Sequence, residues 1–338
     1  MWSRWVIAVV FVFTAVSRAW AAAPQRFEYT EPHMGTQFQI IVYAADQDAA
    51  DKAARAAFDR IAELDAIMSD YKDSSELMKL CAKAGGDPVP VSDDLFFVLS
   101  KAVEASAKSD GAFDVTVGPV VRLWRHSRRT RKLPDADDLK KALALVGYKN
   151  LKLDADKRTV QLLKPGMLLD LGGIAKGYAG DEAQKVLKKH GITSALVAGG
   201  GDIVVSGAPP DKEGWKIEIE ALDPAEKEKP KYLLLKDAAV STSGDVNQHV
   251  EIDGVRYSHI VDPKTGLGLM GQRSVTVVAP NGITSDSTTK IVMLLGEEKG
   301  FKIVEAMPGV SSRYVRLTDK GATTRYSKGF PRLQSAKE

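Results

Sequence analysis

The chain has 338 residues, of which 44% are hydrophobic and 27% are charged. This composition excludes an intrinsically disordered chain and leaves enough sequence for one large hydrophobic core or two smaller ones. The formal net charge of +3 indicates no class of partner, because 47 basic and 44 acidic residues nearly cancel.

The first residues predict a secretory signal peptide over residues 1–23. Arg4 precedes an apolar stretch over residues 6–16, and small residues follow, so we expect cleavage after Ala21 or Ala23. The protein is then exported and, in a Gram-negative bacterium, periplasmic. An uncleaved membrane anchor is the alternative, although the apolar stretch is shorter than the ~20 residues that a membrane span needs.

The rest of the chain, residues 24–338, predicts a single α+β unit with a helical N-terminal half and a strand-rich C-terminal half. The first half is predicted to hold a strand over 37–44 and helices over 48–68, 93–109, 136–145 and from the region of Gly172 to about residue 190. The second half is predicted to hold strands over 194–198, 203–206, 215–220, 232–235, 239–242, 257–261 and 273–279, and helices over 284–294 and 297–306. The charged segment 223–231 predicts a hairpin loop.

Two local features have ordinary structural interpretations. The only cysteine, Cys81, excludes an intramolecular disulfide and is expected to be a buried small residue. A basic cluster before Pro134 suits nucleic acid or an anionic membrane, but we favour a solvated loop or helix face because no basic stripe continues elsewhere. Its members are Arg122, Arg125, Arg128, Arg129, Arg131 and Lys132.

The most informative motif is the run over residues 170–178, Asp-Leu-Gly-Gly-Ile-Ala-Lys-Gly-Tyr. Glycines allow backbone N–H groups to approach an anion, a helix N-terminus adds positive potential, and Lys176 adds a full charge. The run therefore predicts a phosphate-binding loop, although the Walker spacing is absent.

Several further segments combine glycines, carboxylates, hydroxyls or an imidazole. With the phosphate-binding loop they make a series of seven, over 34–36, 69–77, 110–119, 170–178, 200–202, 259–266 and 286–296. In this order and at these spacings the chain resembles the FAD:protein FMN transferases of the ApbE family, from about Met34 to Gly296. The resemblance implies a T-fold-like single unit with FAD in the cleft between its two halves.

The resemblance also implies the reaction. FMN would move from FAD to a threonine of a target flavoprotein subunit through a phosphoester bond, with release of AMP. Two alternatives stay open: a non-catalytic protein that binds or stores FAD, and an FAD pyrophosphatase that gives FMN and AMP. A redox flavoenzyme is disfavoured because no G-x-G-x-x-G follows an early strand. We expect no nucleic-acid partner, and membrane association only through the acceptor or an uncleaved signal.

Site residues follow from the same resemblance. Those expected to contact FAD are Met34, Tyr71, Ala112, Phe113, Asp114, Asp170, Lys176 and Ile260. His259 is the predicted general base, since an ordinary pKa of ~6.5 suits neutral pH. The alternative for His259 is a structural imidazole that orients the turn before Pro263.

At the metal site the chain departs from its family. The family pattern implies Mg²⁺ held by the carbonyl of Gly173, by Asp286 as a catalytic carboxylate, and by a threonine four residues later, but position 290 is a lysine. Thr289 or Thr288 could supply the oxygen while Lys290 turns toward phosphate, or Lys290 could itself replace the ion. Smaller departures are Cys81, where asparagine is common, and Val246, where an aromatic residue is common.

Overall fold

A computed structural model describes residues 23–222, 230–244 and 248–335. Within them the strands are β1 (Gln25–His33), β2 (Thr36–Ala44), β3 (Val89–Pro90), β4 (Leu151–Asp154), β5 (Thr159–Leu162), β6 (Ala195–Gly199), β7 (Asp202–Ser206), β8 (Trp215–Ile219), β9 (Lys231–Leu235), β10 (Ala238–Gly244), β11 (His249–Ile252), β12 (Val255–Val261), β13 (Gly268–Met270), β14 (Gln272–Ala279), β15 (Ser311–Thr318) and β16 (Gly321–Tyr326). The helices in the same residues are α1 (Gln47–Met68), α2 (Glu76–Cys81), α3 (Asp93–Lys108), α4 (Gly118–Thr130), α5 (Ala136–Leu143), α6 (Ala175–Lys189) and α7 (Gly282–Glu305).

The largest sheet has eight strands in the order β1-β2-β6-β7-β10-β14-β15-β16, and each neighbouring pair is antiparallel. Alternation along β2 separates the two faces of this sheet, because Phe38 and Ile40 belong to one buried cluster and Ile41 to another. The first cluster includes residues of α1, α3 and α6, and the second includes residues of β8 and β9. The sheet therefore carries helices on one face and the β8–β9 hairpin on the other.

The helices begin where the sequence provides caps. The side chain of Asp46 accepts a hydrogen bond from the backbone N–H of Ala49 at the start of α1, and Ser92 does the same for Leu95 at α3. Asn281 caps α7 by accepting from the N–H of Thr284. These caps account for the close agreement between the predicted and observed starts of these helices.

A smaller antiparallel sheet, with the order β11-β12-β13, packs against α4 and α5. The indole Nε1–H of Trp124 on α4 donates to the carbonyl of Ser258 on β12 at 3.0 Å, and the Trp124 ring meets Tyr257 edge-on. This buried contact fixes α4 against the strand that carries His259.

The predicted α+β unit is confirmed, with differences at the edges of the sheet. Strand β1 was missed because its residues alternate between exposed and half-buried and include charges, as is common at a sheet edge. Strand β15 and the edge strand β16 were also missed, and so were α2, α4, β3, β4, β5, β11 and β13. The predicted break between two late helices is confirmed, since α7 kinks at Gly296, where φ is 73°.

Some predictions fall outside the described residues. These include the signal peptide, of which residues 1–22 are not described, and Val246. Most of the predicted hairpin loop, residues 223–229, also lies outside, although its flanking strands β8 and β9 do pair in antiparallel register. No helix in the described parts of the chain combines the length and apolar character of a membrane span.

Candidate active site

A cleft of about 940 Å³ is lined by residues from both halves of the chain. All the residues predicted to contact FAD line it: Met34, Tyr71, Ala112, Phe113, Asp114, Asp170, Lys176 and Ile260. Gly173, His259 and Lys290 line it as well. Asp286 and Thr289 lie behind the wall, with no exposed surface. The fold thus brings together segments that are far apart in the sequence.

At one edge of the cleft Arg125 of α4 joins two loops. Its guanidinium donates to Asp70 at 2.5 Å and to Asp170 at 2.9 Å. The same guanidinium lies 4.2 Å from the centre of the Tyr71 ring, in cation–π geometry. Because Tyr71 is 73% exposed, its other face is open for stacking against a planar ligand.

Arg125 and Arg128 correct the prediction for the basic cluster. The sequence favoured a solvated loop or helix face, but both side chains line the cleft. Arg125 and Arg128 are three residues apart on one face of α4, next to the buried Trp124. The spacing of three between Arg125 and Arg128, which places both on one face of a helix, is the signal that could have identified them.

Asp170 connects the phosphate-binding loop to the rest of the cleft. One carboxylate oxygen accepts from the N–H of Gly172 at 2.8 Å, and the other accepts from Arg125. Burial raises the pKa of Asp170, as does the nearby Asp70, while Arg125 and Lys176 act in the opposite direction. Both carboxylate oxygens therefore accept hydrogen bonds from the protein itself. Asp170 thus fixes the conformation of the loop and its position against α4.

Asp114 is similarly engaged. One of its oxygens accepts from the N–H and the hydroxyl of Thr116, and the other accepts from the N–H of Tyr148. Burial raises the pKa of this carboxyl group. Asp114 therefore shapes the cleft wall beside Ala112 and Phe113.

The crossing of α6 and α7 positions the charged end of the cleft. Gly177 and Gly282 have no side chains between them, and the N–H of Gly177 donates to Asp286 at 3.1 Å. Asp181 of α6 accepts from the N–H groups of Gly282 and Ile283, at 2.6 and 2.9 Å. The first turn of α7 is therefore fixed to α6 by hydrogen bonds from its backbone N–H groups to the side chain of Asp181.

Two lysines neutralise the buried Asp286. Lys290 of α7 donates directly to one carboxylate oxygen, and the Nζ of Lys176 lies 3.9 Å from the other. Lys176 also pairs with Asp202 at 3.1 Å and donates to the carbonyl of Gly172. Burial acts to raise the pKa of Asp286, but the two ammonium groups outweigh it and the pKa is lowered.

The predicted magnesium ligands do not fit a divalent ion. The hydroxyl of Thr289 donates to the carbonyl of Asp286 at 2.7 Å and lies 2.8 Å from the hydroxyl of Ser243. Lys290 occupies the carboxylate of Asp286, and an ammonium group cannot ligate a cation. No group of three or more His, Cys, Asp or Glu side chains in the described parts of the chain could hold a metal.

His259 lies near the end of β12, close to these cations. Its Nδ1 lies 3.1 Å from the carbonyl oxygen of Gln248, so the tautomer with Nδ1–H leaves Nε2 as an acceptor. Burial is the main cause that lowers the pKa of His259 to about 4; repulsion by Lys290, Arg128 and Lys176 acts in the same direction, and the hydrogen bond with Gln248 opposes it. The expectation of an ordinary pKa is therefore wrong, and the imidazole is neutral at pH 7.

Known proteins share this architecture. The model of the ApbE family matches residues 34–313. An FAD:protein FMN transferase of Vibrio cholerae serotype O1 is 33% identical over 279 residues, which cover 81% of this chain and 83% of that protein. One from Treponema pallidum is 33% identical over 311 residues, covering 87% and 85%. The solved structure of the flavin transferase ApbE from Vibrio cholerae has a TM-score of 0.82 and 30% identity, covering 91% of this chain and 98% of that one. The chain belongs to the ApbE family.

Proposed function

We propose that this protein is an FAD:protein FMN transferase, which moves FMN from FAD to a threonine of a target flavoprotein and releases AMP. The observation that carries the proposal is a neutral imidazole, His259, beside three cations in the cleft: Lys176, Lys290 and Arg128. Such a group of charges suits a pyrophosphate next to a proton acceptor. The activity named for the relatives from Vibrio cholerae and Treponema pallidum supports the same conclusion.

The transfer needs the acceptor hydroxyl, the pyrophosphate of FAD and a proton acceptor. The hydroxyl oxygen of the acceptor threonine forms a bond to the phosphorus of the FMN half, and the bond from that phosphorus to the bridging oxygen breaks. The electron pair leaves with AMP, and the hydroxyl proton goes to Nε2 of His259. Lys176 and Lys290 stabilise the charge that develops on the phosphoryl oxygens.

The low pKa of His259 fits this role because the substrate changes it. Burial and repulsion by three cations disfavour the imidazolium. A bound pyrophosphate brings two negative charges, which offset that repulsion and raise the pKa of His259 toward neutral pH. The base is thus unprotonated before FAD binds and becomes a better proton acceptor once FAD is present.

FAD recognition is assigned to the lining of the cleft. Tyr71 supplies a stacking face, Met34 and Ile260 supply apolar contacts, and Ala112, Phe113 and Asp114 form a wall. Asp170 and Lys176 hold the polar parts of FAD through the phosphate-binding loop. A protein that only stores FAD would use the cations to bind the pyrophosphate but would have no use for a proton acceptor at His259.

We further propose that the chain acts outside the cytoplasm. This rests on the sequence of residues 1–23, with Arg4 before an apolar stretch. The acceptor is then a threonine in an exported or membrane-bound redox subunit, and membrane association comes through that subunit or an uncleaved signal.

The test compares AMP release with covalent FMN. The purified chain is mixed with FAD and a limiting amount of a flavoprotein domain that carries the acceptor threonine, and a domain with Thr→Val at the acceptor serves as control. Transfer predicts equal amounts of AMP and protein-bound FMN, and neither with the control domain. AMP release that continues after the acceptor is consumed would identify an FAD pyrophosphatase, and FAD binding without AMP would identify a storage protein.

A further inference from the structure

Lys290 fills the space between the phosphate-binding loop and Asp286. Its Nζ donates to Asp286. Its aliphatic chain lies against Gly173, where an added Cβ would stand 3.4 Å from Cγ and 3.6 Å from Cε of Lys290. Only 16% of the Lys290 side chain is exposed. The residues from which a metal site was expected, Gly173 and Asp286, therefore face a lysine side chain.

The charges around this lysine are already balanced. Asp202 and Asp286 carry two negative charges, and Lys176 and Lys290 carry two positive charges. The four side chains are joined by consecutive ion pairs. A divalent ion added beside Asp286 would stand next to two ammonium groups with no free carboxylate, and at such distances like charges repel strongly. With a threonine at position 290 the same cluster would have a net charge of −1 and would attract a cation.

We propose that the Lys290 ammonium group takes the place of a divalent cation in this protein, so that the FAD-loaded chain binds no divalent metal at Asp286. The inference rests on the proposed FMN transfer for its chemical meaning, since it assigns to Lys290 the stabilisation of the phosphoryl charge. An ammonium group has three donors, of which Asp286 uses one. The others are available to phosphoryl oxygens.

Metal binding is measured directly, independently of transfer. The probe is Mn²⁺, followed by electron paramagnetic resonance of the free ion, with the full mature chain saturated with FAD. Saturation with FAD is confirmed separately by quenching of flavin fluorescence in EDTA. The wild-type chain is expected to show no saturable Mn²⁺ site. One Mn²⁺ bound per wild-type chain and lost in Asp286→Asn would overturn the inference, whether or not FMN is transferred.

A gain of metal binding provides the second test. Lys290→Thr restores a hydroxyl four residues after Asp286 and is expected to bind one Mn²⁺ per FAD-loaded chain. Lys290→Met removes the charge without adding a ligand and is expected to bind none. Lys299→Thr makes the same substitution at an exposed position of α7 and is expected to match the wild type. If Lys290→Thr and Lys299→Thr both bind no Mn²⁺ while retaining FAD, position 290 does not decide the metal and the inference is wrong.

Transfer assays add a pattern that a structural role for Lys290 would not produce. The wild-type rate is expected to be the same in EDTA and in Mg²⁺. Lys290→Met is expected to lose about 100-fold or more in kcat under both conditions, as when one charge-stabilising donor is removed. Lys290→Thr is expected to be as slow in EDTA and to recover with Mg²⁺. Wild-type transfer abolished by EDTA would contradict the inference, whereas no transfer under any condition would contradict the proposed function and leave the Mn²⁺ result to decide.

Discussion

Gly177 of α6 and Gly282 of α7 meet backbone to backbone. A Cβ on Gly177 would lie 2.1 Å from the carbonyl oxygen of Gly282 and 2.8 Å from Cβ of Asp286. No side chain fits in that space, so α6 and α7 cross at the closest distance that their backbones allow. This contact brings the N–H of Gly177 within hydrogen-bond distance of Asp286. It also places the ammonium groups of Lys176 and Lys290 beside the Asp286 carboxylate.

The close crossing of α6 and α7 predicts that Gly177→Ala reduces both stability and transfer, although alanine has the higher helix propensity. Separation of the two helices should reduce the free energy of unfolding by about 1–3 kcal/mol, the usual range for overpacking, and transfer should fall because Asp286 moves. Urea unfolding and the rate of covalent FMN formation measure the two effects. Gly180→Ala is the comparison in the same helix: its Cβ would lie 2.8 Å from Cγ2 of Val204, a side-chain atom and not a backbone atom, so a smaller loss of stability and little loss of transfer are expected. Equal stability and activity of Gly177→Ala and wild type would show that the contact is not needed.

Asp286 is predicted to be essential for transfer but not for FAD binding. In Asp286→Ala the two ammonium groups lose their shared carboxylate and repel one another, so they no longer sit in place for the phosphoryl oxygens. The rate should fall about 100-fold or more. FAD binding, measured by flavin fluorescence quenching, should persist because both cations remain. Unchanged transfer would remove Asp286 from the mechanism.

Arg125 is predicted to set the affinity for FAD. Arg125→Ala releases Asp70 and Asp170 and removes the cation beneath the Tyr71 ring. We expect the Kd for FAD to rise about tenfold, which corresponds to about 1.4 kcal/mol, with a smaller effect on kcat. Titration with FAD followed by fluorescence gives the Kd. Arg129→Ala, at an exposed position of the same helix, should bind FAD like the wild type. A normal Kd in Arg125→Ala would mean that the Tyr71 loop is held by other contacts.

The lowered pKa of His259 predicts that the free energy of unfolding falls as the pH is lowered. Burial and three nearby cations lower its pKa to about 4 in the folded chain, against ~6.5 for an unfolded histidine. Between these values the unfolded chain binds more protons, so this contribution to stability is complete above pH 6.5 and is lost as the pH falls toward 4. Without FAD, His259→Phe should lose less stability than wild type over this range in urea unfolding. The control His126→Gln, at an exposed site, should follow the wild type. Identical slopes for all three proteins would contradict the lowered pKa.

Local features of the sequence predicted much of the fold. Helix starts at Asp46, Ser92 and Asn281 depend on a cap and the residues three positions later, and such signals are contained in a short segment. Edge strands such as β1 alternate only between exposed and half-buried residues, so the usual contrast between buried apolar and exposed polar positions is missing. Their pairing depends on partners that a local pattern does not contain.

The residues of the cleft were likewise predicted only in part. The resemblance identified the residues that line the cleft, and the spacing between Asp286 and position 290 raised the question of Lys290. Arg125 was missed because its partner Asp70 is 55 positions away in the sequence. The lowered pKa of His259 was missed because it depends first on burial and then on cations of three helices, α4, α6 and α7, and neither is contained in the local sequence.

The measurement that tests the proposed function most directly is the intact mass of a threonine-bearing flavoprotein domain after incubation with the purified chain and FAD. We expect the domain to gain the mass of one phosphoester-linked FMN and AMP to appear in equal amount, and we expect the His259→Phe variant to form far less of this product. A domain that keeps its original mass while the chain binds FAD would contradict the proposed transfer.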